Sequence, residues 1–493
     1  MSQLALLPIP HQIDFGTGTI HWSPEPAAII PAEWQFVVEN AGWNFRKTEK
    51  SQDPQIVIRK IEGLGDEGYS IRIDDITEIS ATTAAGLNYA LTTLRQYGTA
   101  QMQRVEIVDS PKYSWRGCHL DVSRHFFGVD TVCRFIDLLA QHRLNRLHLH
   151  LNDDQCWRIE IPSWPLLTEI GAWRDSTPIG HEDDGVDDGK PHGGFYTLAD
   201  IKAIREHAEK RFIQIVPEID LPGHAQAVLA AYPHLGNTNL KLRPWVRWGI
   251  SDHVLNVSGE ALTFAEDVVT YVASLFPGNP IHIGGDECPT VEWEESAAAQ
   301  GVMQLHGFTH AQQLQGLYTQ RLTNVLQAKG HEVIAWDEVL DAAVPSGMII
   351  AAWRSSEKAI EAANRGLDVI MAPMDYLYLD WLSSDTPGEP VAQAPLPVFT
   401  PWEKVYGFSV IPEGLAPEKT KHVRGAQVQL WTEYISTQDH LDYMAFPRIC
   451  AFSEVVWGSS TTVKEFRPRL EEHLALHQRA GVKFRPLDPS MKA

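Results

Sequence analysis

The chain has 493 residues, 44% of them hydrophobic and 21% charged, and a formal net charge of −22. Such a composition belongs to a globular protein, too long for one ordinary core but sized for a large barrel plus a small domain. An acidic field of this size repels phosphate backbones, and no Lys/Arg stripe offsets it locally, which argues against nucleic acid as a partner.

The opening MSQLALLPIPHQ has no basic stretch, and its short apolar run is broken by prolines. Nowhere is an apolar run long enough to span a membrane, so a cytoplasmic location and no membrane partner are expected. Five cysteines, at 118, 133, 156, 288 and 450, form no CxxC pair. They read as reduced thiols rather than as a disulfide framework or a zinc site.

In chain order, residues 1–110 form a small α/β unit. Gln55–Ile61 and Tyr69–Ile73 alternate as strands, Thr82–Tyr97 repeats apolar residues as a helix does, and Gln103–Val108 is a further strand. Asp109-Ser110-Pro111 breaks the pattern. Nothing in this unit carries chemistry, and it reads as a support domain.

From residue 111 to 493 short apolar strands alternate with amphipathic helices. Strand cores fall near 116–122, 146–151, 212–217, 281–284, 332–336, 348–353, 367–372 and 425–431. Between them, Val132, Phe135, Ile136 and Leu139 share one helical face, and Thr197 with Asp200 forms a capping-box start for another helix. The expected fold is therefore a (β/α)₈ TIM barrel preceded by a small α/β domain, the barrel ending in C-terminal helices. A doubly wound open sheet is the alternative, but no GxGxxG follows the first strand. Two polar Gly/Pro-rich inserts, 174–195 and 383–424, are expected at the rim of the site.

A TIM-barrel site lies where strands run out at their C-terminal ends, and those positions are rich in polar residues here. They include Asp121 and Arg124; His148, His150, Asp153 and Asp154; Glu218, Asp220 and His224; and His282, Asp286 and Glu287. Farther on come Trp336-Asp337-Glu338, Trp353-Arg354, Tyr378 with Asp380, and Trp431 with Glu433. Two glycines precede Asp286 and Glu287 and allow a sharp turn. Adjacent acids at a buried strand end are also where one carboxyl is pushed up in pKa, as a general acid needs. The tryptophans near strand ends (336, 353, 381 and 431) suit the apolar face of a sugar ring, whose hydroxyls call for Arg, Asp and Glu partners. Three readings stay open from the residues alone: a retaining glycosidase with Glu218 and Glu287 and a covalent intermediate, a metal-dependent barrel hydrolase using His148, His150, His224 and Asp286, and a silent carbohydrate-binding protein. The acidic run Glu182–Lys190 reads as a solvated loop, with calcium binding as the other reading.

From about Trp115 to Trp457 the sequence resembles glycoside hydrolase family 20, the β-N-acetylhexosaminidases. The resemblance rests on Arg116-Gly with Leu120-Asp-Val-Ser-Arg124, on the run from His148 to Arg158, on Pro217-Glu-Ile-Asp-Leu-Pro-Gly-His224, and on His282-Ile-Gly-Gly-Asp-Glu287. It continues through Trp336-Asp-Glu, Tyr378-Leu-Asp380 and Trp431-Thr-Glu433. It implies an exo-acting retaining enzyme that removes terminal β-linked GlcNAc or GalNAc from an oligosaccharide or glycoconjugate by substrate assistance, with no cofactor and no metal. Glu287 would be the acid and base, Asp286 would hold the 2-acetamido N–H, and Tyr378 would bind the acetamido oxygen. Arg124, Asp380 and Glu433 would take ring hydroxyls, and Trp336, Trp353 and Trp431 would wall the sugar. His150, Asp153 and His224 would form a buried relay holding the acids. Cys288, directly after the acid pair, departs from what the residues explain.

Overall fold

The computed structural model describes residues 6–48, 54–98, 101–392, 398–459 and 461–488. Eight parallel strands close into a barrel: Trp115–Asp121, Arg146–His150, Gln214–Glu218, Ile281–His282, Val333–Trp336, Ile349–Ala352, Asp368–Met371 and Val423–Val428. The eighth pairs back onto the first, Gly425 beside Trp115, and completes the ring. All eight expected strands are present. Helices return the chain between most of them because each has one apolar face to bury. Val132, Phe135, Ile136 and Leu139 of helix Val129–Gln141 are all buried. The capping box at Thr197 forms as expected, with Asp200 reaching back, and starts helix Leu198–Glu209.

The barrel interior is unusually polar. Strand register sets Asp121, His150, Glu218 and His282 side by side at one level, and His119 and His148 at a level below. These side chains point inward among Trp115, Ile334, Trp336 and Ile370. A barrel filled by branched aliphatics is a passive core; this one places its titratable groups directly beneath the mouth.

Ahead of the barrel, seven strands form a mixed sheet in the order 12–20, 102–109, 69–73, 77–81, 56–60, 27–29, 46–47. Helix Ala84–Tyr97 packs on it through Leu87, Leu91 and Leu94. The edge strand Gln12–Ile20 was not expected, since it is exposed along nearly its whole length and shows no alternation. Asp109 joins the sheet to the barrel. Its buried carboxylate accepts from Tyr69 at 2.7 Å, from the Trp457 indole at 3.0 Å and from Arg143 at 3.1 Å. Removing one partner of such a buried pair costs about 3–5 kcal/mol, because the other charge stays buried. Among the described residues no helix is long and apolar enough to cross a membrane.

Candidate active site

At the C-terminal mouth of the barrel lies a cavity of about 220 Å³. Asp286 and Glu287 enter it from the loop after Ile281–His282, and Arg124 from the loop after the first strand. Backbone conformation explains the paired glycines. Gly284 has φ +64°, and a Cβ there would stand 1.9 Å from Asp220 Oδ1, so only glycine lets the Asp220 carboxylate approach this turn. Glu287 and His224 are also left-handed, with φ +43° and +45°. Non-glycine residues hold such a conformation at a cost of roughly 1–3 kcal/mol, met by the surrounding structure. The two strained residues face one another, His224 Nε2 standing 3.6 Å from Glu287 Oε2. The Glu287 side chain is 36% exposed against 10% for Asp286; Glu287 therefore faces the open side of the cavity.

Beneath the cavity runs a chain of buried acids and imidazoles. Glu218 Oε2 stands 2.6 Å from His150 Nδ1, and His150 Nε2 is 2.9 Å from Asp153 Oδ2. Asp153 Oδ1 then meets His224 Nδ1 at 3.2 Å. Burial alone would lower the His150 pKa, but carboxylates on both sides push it up to about 10. Likewise burial would lower His224, yet Asp153, Asp154 and Asp286 hold it well above its ordinary value. Glu218 moves the other way: against the cost of burial, three imidazoles keep it well below the usual carboxylate range. The chain is thus an alternating row of fixed charges ending at Glu287.

Asp220 and Asp286 form a second pair, their oxygens within 4.8 Å of one another and of a His224 ring nitrogen. Burial, and then the charge of Asp220, pushes Asp286 well above the carboxylate range, and burial raises Asp220 too. Two carboxyls so placed titrate as a unit and share a proton.

The walls are aromatic. Tyr378 lies nearly parallel to Trp353 at 6.1 Å and packs against Trp381 and Trp431 at about 6.4 and 6.5 Å. Burial keeps its hydroxyl protonated, well above 10, as a donor. Trp353 is fixed by its indole N–H, which donates to Glu338 at 2.9 Å. The Arg124 guanidinium lies 5.0 Å over Trp431 and 2.8 Å from Asp153. Three acceptors lining the cavity, Asp286 Oδ1, Asp380 Oδ1 and Glu433 Oε2, are buried without a hydrogen-bond partner. Buried polar atoms are nearly always satisfied, so this cavity is built for a ligand carrying several donors.

Of the residues singled out in the sequence, Arg124, Asp286, Glu287, Trp353, Tyr378, Asp380, Trp431 and Glu433 line the cavity. His150, Asp153 and His224 lie one layer below. Trp336 does not form a wall: it is 1% exposed and donates its indole N–H to Glu218 Oε1 at 2.7 Å, as part of the floor. Last in its strand, it points into the barrel rather than across its mouth. Met374 and Trp381 line the cavity as well; Met374 carried no signal in the sequence. The described part of the 383–424 insert does not line the cavity. Its Glu389 binds Arg485 at 2.6 Å and its Trp402 packs on Phe466, which docks it on the C-terminal helices instead; residues 393–397 lie outside the described set. The acidic run is mostly exposed, as expected of a solvated loop, and is also tied down: Asp188 Oδ1 accepts from the backbone N–H of Thr177 and of Lys190 at 2.9 Å, and Glu182 accepts from that of Trp248. Cys288 is buried close against the Gly223 turn, where a Cβ on Gly223 would stand 3.2 Å from Cys288 Cα.

Residues 113–460 match the family model "Glycosyl hydrolase family 20, catalytic domain", and residues 3–110 match "Glycosyl hydrolase family 20, domain 2". Among curated relatives, a beta-hexosaminidase of Porphyromonas gingivalis is 38% identical over 409 residues, covering 80% of this chain and 51% of the relative. One of Akkermansia muciniphila is 28% identical over 483 residues, covering 92% of this chain and 93% of the relative. The chain therefore spans about half the length of the first relative and nearly all of the second. An exo beta-N-acetylglucosaminidase of Vibrio harveyi, solved in complex with N-acetylglucosamine, superposes with a TM-score of 0.87 at 31% identity, covering 98% of this chain and 78% of that one. The N-acetyl-beta-hexosaminidase of Streptomyces plicatus gives 0.83 at 30% identity, covering 99% and 97%.

Proposed function

Because the chain belongs to glycosyl hydrolase family 20, we propose that it is an exo-acting retaining β-N-acetylhexosaminidase, releasing terminal β-linked GlcNAc or GalNAc from oligosaccharides or glycoconjugates. The observation that carries this reading is the set of buried, unpartnered acceptors on Asp286, Asp380 and Glu433 around one small aromatic-walled cavity. A sugar offers hydroxyls and an amide N–H for those oxygens and apolar C–H faces for the tryptophans.

In the first step the substrate's acetamido oxygen attacks C1, the glycosidic C–O bond breaks, and Glu287 gives its proton to the departing oxygen. The acetamide is already within reach of C1, so proximity takes the place of an enzymic nucleophile. Asp286 accepts the acetamide N–H and stabilises the positive charge that develops on the oxazolinium, while Tyr378 donates to the acetamido oxygen. This role needs Asp286 ionised, so in the substrate complex the proton shared by the Asp220–Asp286 pair has to rest on Asp220, against the preference for the proton that burial gives Asp286. In the second step Glu287 takes a proton from water, the water oxygen attacks C1 from the side the leaving group vacated, and the ring opens with net retention. Arg124, Asp380 and Glu433 grip the ring hydroxyls. No step requires a cofactor.

Two alternatives find less support. Glu218 as a covalent nucleophile is disfavoured because its carboxylate is fully buried, engaged by Trp336 and His150, and absent from the cavity lining. A metal held by His148, His150, His224 and Asp286 is disfavoured because the first two imidazoles address Glu218 while His224 addresses Asp153 and Asp154.

The test is the cleavage of p-nitrophenyl 2-acetamido-β-glucoside against plain p-nitrophenyl β-glucoside, with and without EDTA. EDTA-resistant cleavage confined to the acetamido sugar is the expected result. Comparable cleavage of both sugars would favour the covalent glycosidase, and loss of activity with EDTA the metal enzyme.

A further inference from the structure

Far from the mouth, three helices bring together His142, Cys450, His473 and His477, all buried. His142 caps helix Val129–Gln141, Cys450 lies on Arg448–Trp457, and His473 and His477 stand one turn apart on Val463–Arg479. One ligand atom from each falls within 4.8 Å of the others.

The hydrogen bonding within this cluster is incomplete. His142 Nδ1 lies 2.7 Å from the Leu138 carbonyl, which can only accept, so Nδ1 carries the proton and Nε2 presents a lone pair to the cluster. Facing that lone pair are Cys450 Sγ at 3.3 Å and His473 Nε2 at 3.1 Å. His473 Nδ1 and both ring nitrogens of His477 have no partner, although each residue is only 3% exposed. Every neutral imidazole has one N–H, so at least one donor is buried unsatisfied here, at a cost to the fold. Phe446 packs against the rings of His142 and His477 at 5.2 and 4.7 Å and offers neither nitrogen an acceptor.

We infer that these four side chains form a structural site for a zinc-type divalent cation that ties the C-terminal helix to the barrel. Three imidazoles and one thiolate are the donors of a closed tetrahedral zinc site. Zn–N bonds of about 2.05 Å and a Zn–S bond of about 2.3 Å at tetrahedral angles put ligand nitrogens ~3.3 Å apart and sulfur ~3.6 Å from nitrogen. The observed 3.1 and 3.3 Å are short of that by a few tenths of an ångström. The absence of any carboxylate from the set disfavours calcium and magnesium. The Leu138 carbonyl supplies the outer hydrogen bond that fixes a ligating imidazole in the required tautomer. On binding, the cation displaces the thiol proton of Cys450 to solvent and uses the lone pairs of three neutral rings.

The test uses the full chain without a histidine tag, grown with added zinc and analysed for metal by mass spectrometry. About one zinc per chain is expected, falling to background in Cys450→Ser and His477→Gln with turnover on the aryl glycoside unchanged. Stripping the wild type should lower Tm, zinc should restore it, and neither variant should respond. If either variant fails to fold, cobalt-loaded wild type decides, because a thiolate-to-cobalt charge-transfer band requires a sulfur ligand. Background metal in the wild type with no Tm rise on adding zinc, equal metal in the folded variants, or cobalt binding without that band would each overturn the site.

Discussion

Among the described residues two buried histidine groupings differ in charge. His150 and His224, flanked by carboxylates beneath the cavity, are raised in pKa, whereas the cluster behind the barrel is lowered, as are His119 and His148 deeper in the barrel. Beneath the cavity, His150 and His224 lie between carboxylates, which overcome burial and hold both rings protonated. Behind the barrel no carboxylate belongs to the cluster, and burial dominates: His142 is pushed down to about 4 and His477 to about 3. Identical side chains at similar burial thus become fixed cations in one place and neutral lone-pair donors in the other. The first arrangement suits holding and moving a proton beside Glu287; the second suits holding a cation.

Perturbing the cavity side of this comparison should give the largest effects. Glu287→Gln is expected to lose about 10²–10⁴-fold in turnover on substrates with poor leaving groups while still binding sugar, and kcat against leaving-group pKa checks this. Asp286→Asn and Tyr378→Phe should each cost about 10²–10³-fold, mostly in kcat, since both act on charge that appears only as the acetamide attacks. His224→Gln, a positioning change, should cost about 10- to 100-fold and displace the pH profile of kcat, which a merely structural role would not move.

Smaller effects fall on stability. Trp336→Phe strips Glu218 Oε1 of its indole donor and should cost about 1–3 kcal/mol, read as a lower Tm. His150 provides a pH test. Its folded pKa, about 10, lies above the ordinary 6.5, so the stability it contributes is fully present below 6.5 and fades as pH rises towards 10. Glu218 and Asp153 behave oppositely, contributing above the ordinary carboxylate range and losing that contribution in acid. The Tm difference between wild type and His150→Gln should therefore narrow on the alkaline side.

Much of this molecule was legible because parallel strands buried on both faces write themselves as short apolar runs, and all eight barrel strands did. Gln12–Ile20 did not, since an exposed edge strand has no face to mark. Side chains at strand ends were legible as a set, but depth was not: Trp336 and Trp353 look alike in sequence, yet one reaches down to Glu218 and the other to the cavity. The rear cluster left only the spacing of His473 and His477 on one helix face. Its remaining members stand more than 300 positions apart, with His142 and Cys450 separated by 308 residues, and only the packed fold brings them together.

The central claim, that Asp286 and Tyr378 grip a cyclising acetamide, is tested most directly with a GlcNAc-thiazoline, a stable mimic of the oxazolinium. Inhibition of the wild type, weakened by about 10²-fold or more in both Asp286→Asn and Tyr378→Phe, is the predicted result. A thiazoline that fails to inhibit the wild type, or that inhibits all three proteins equally, would contradict it.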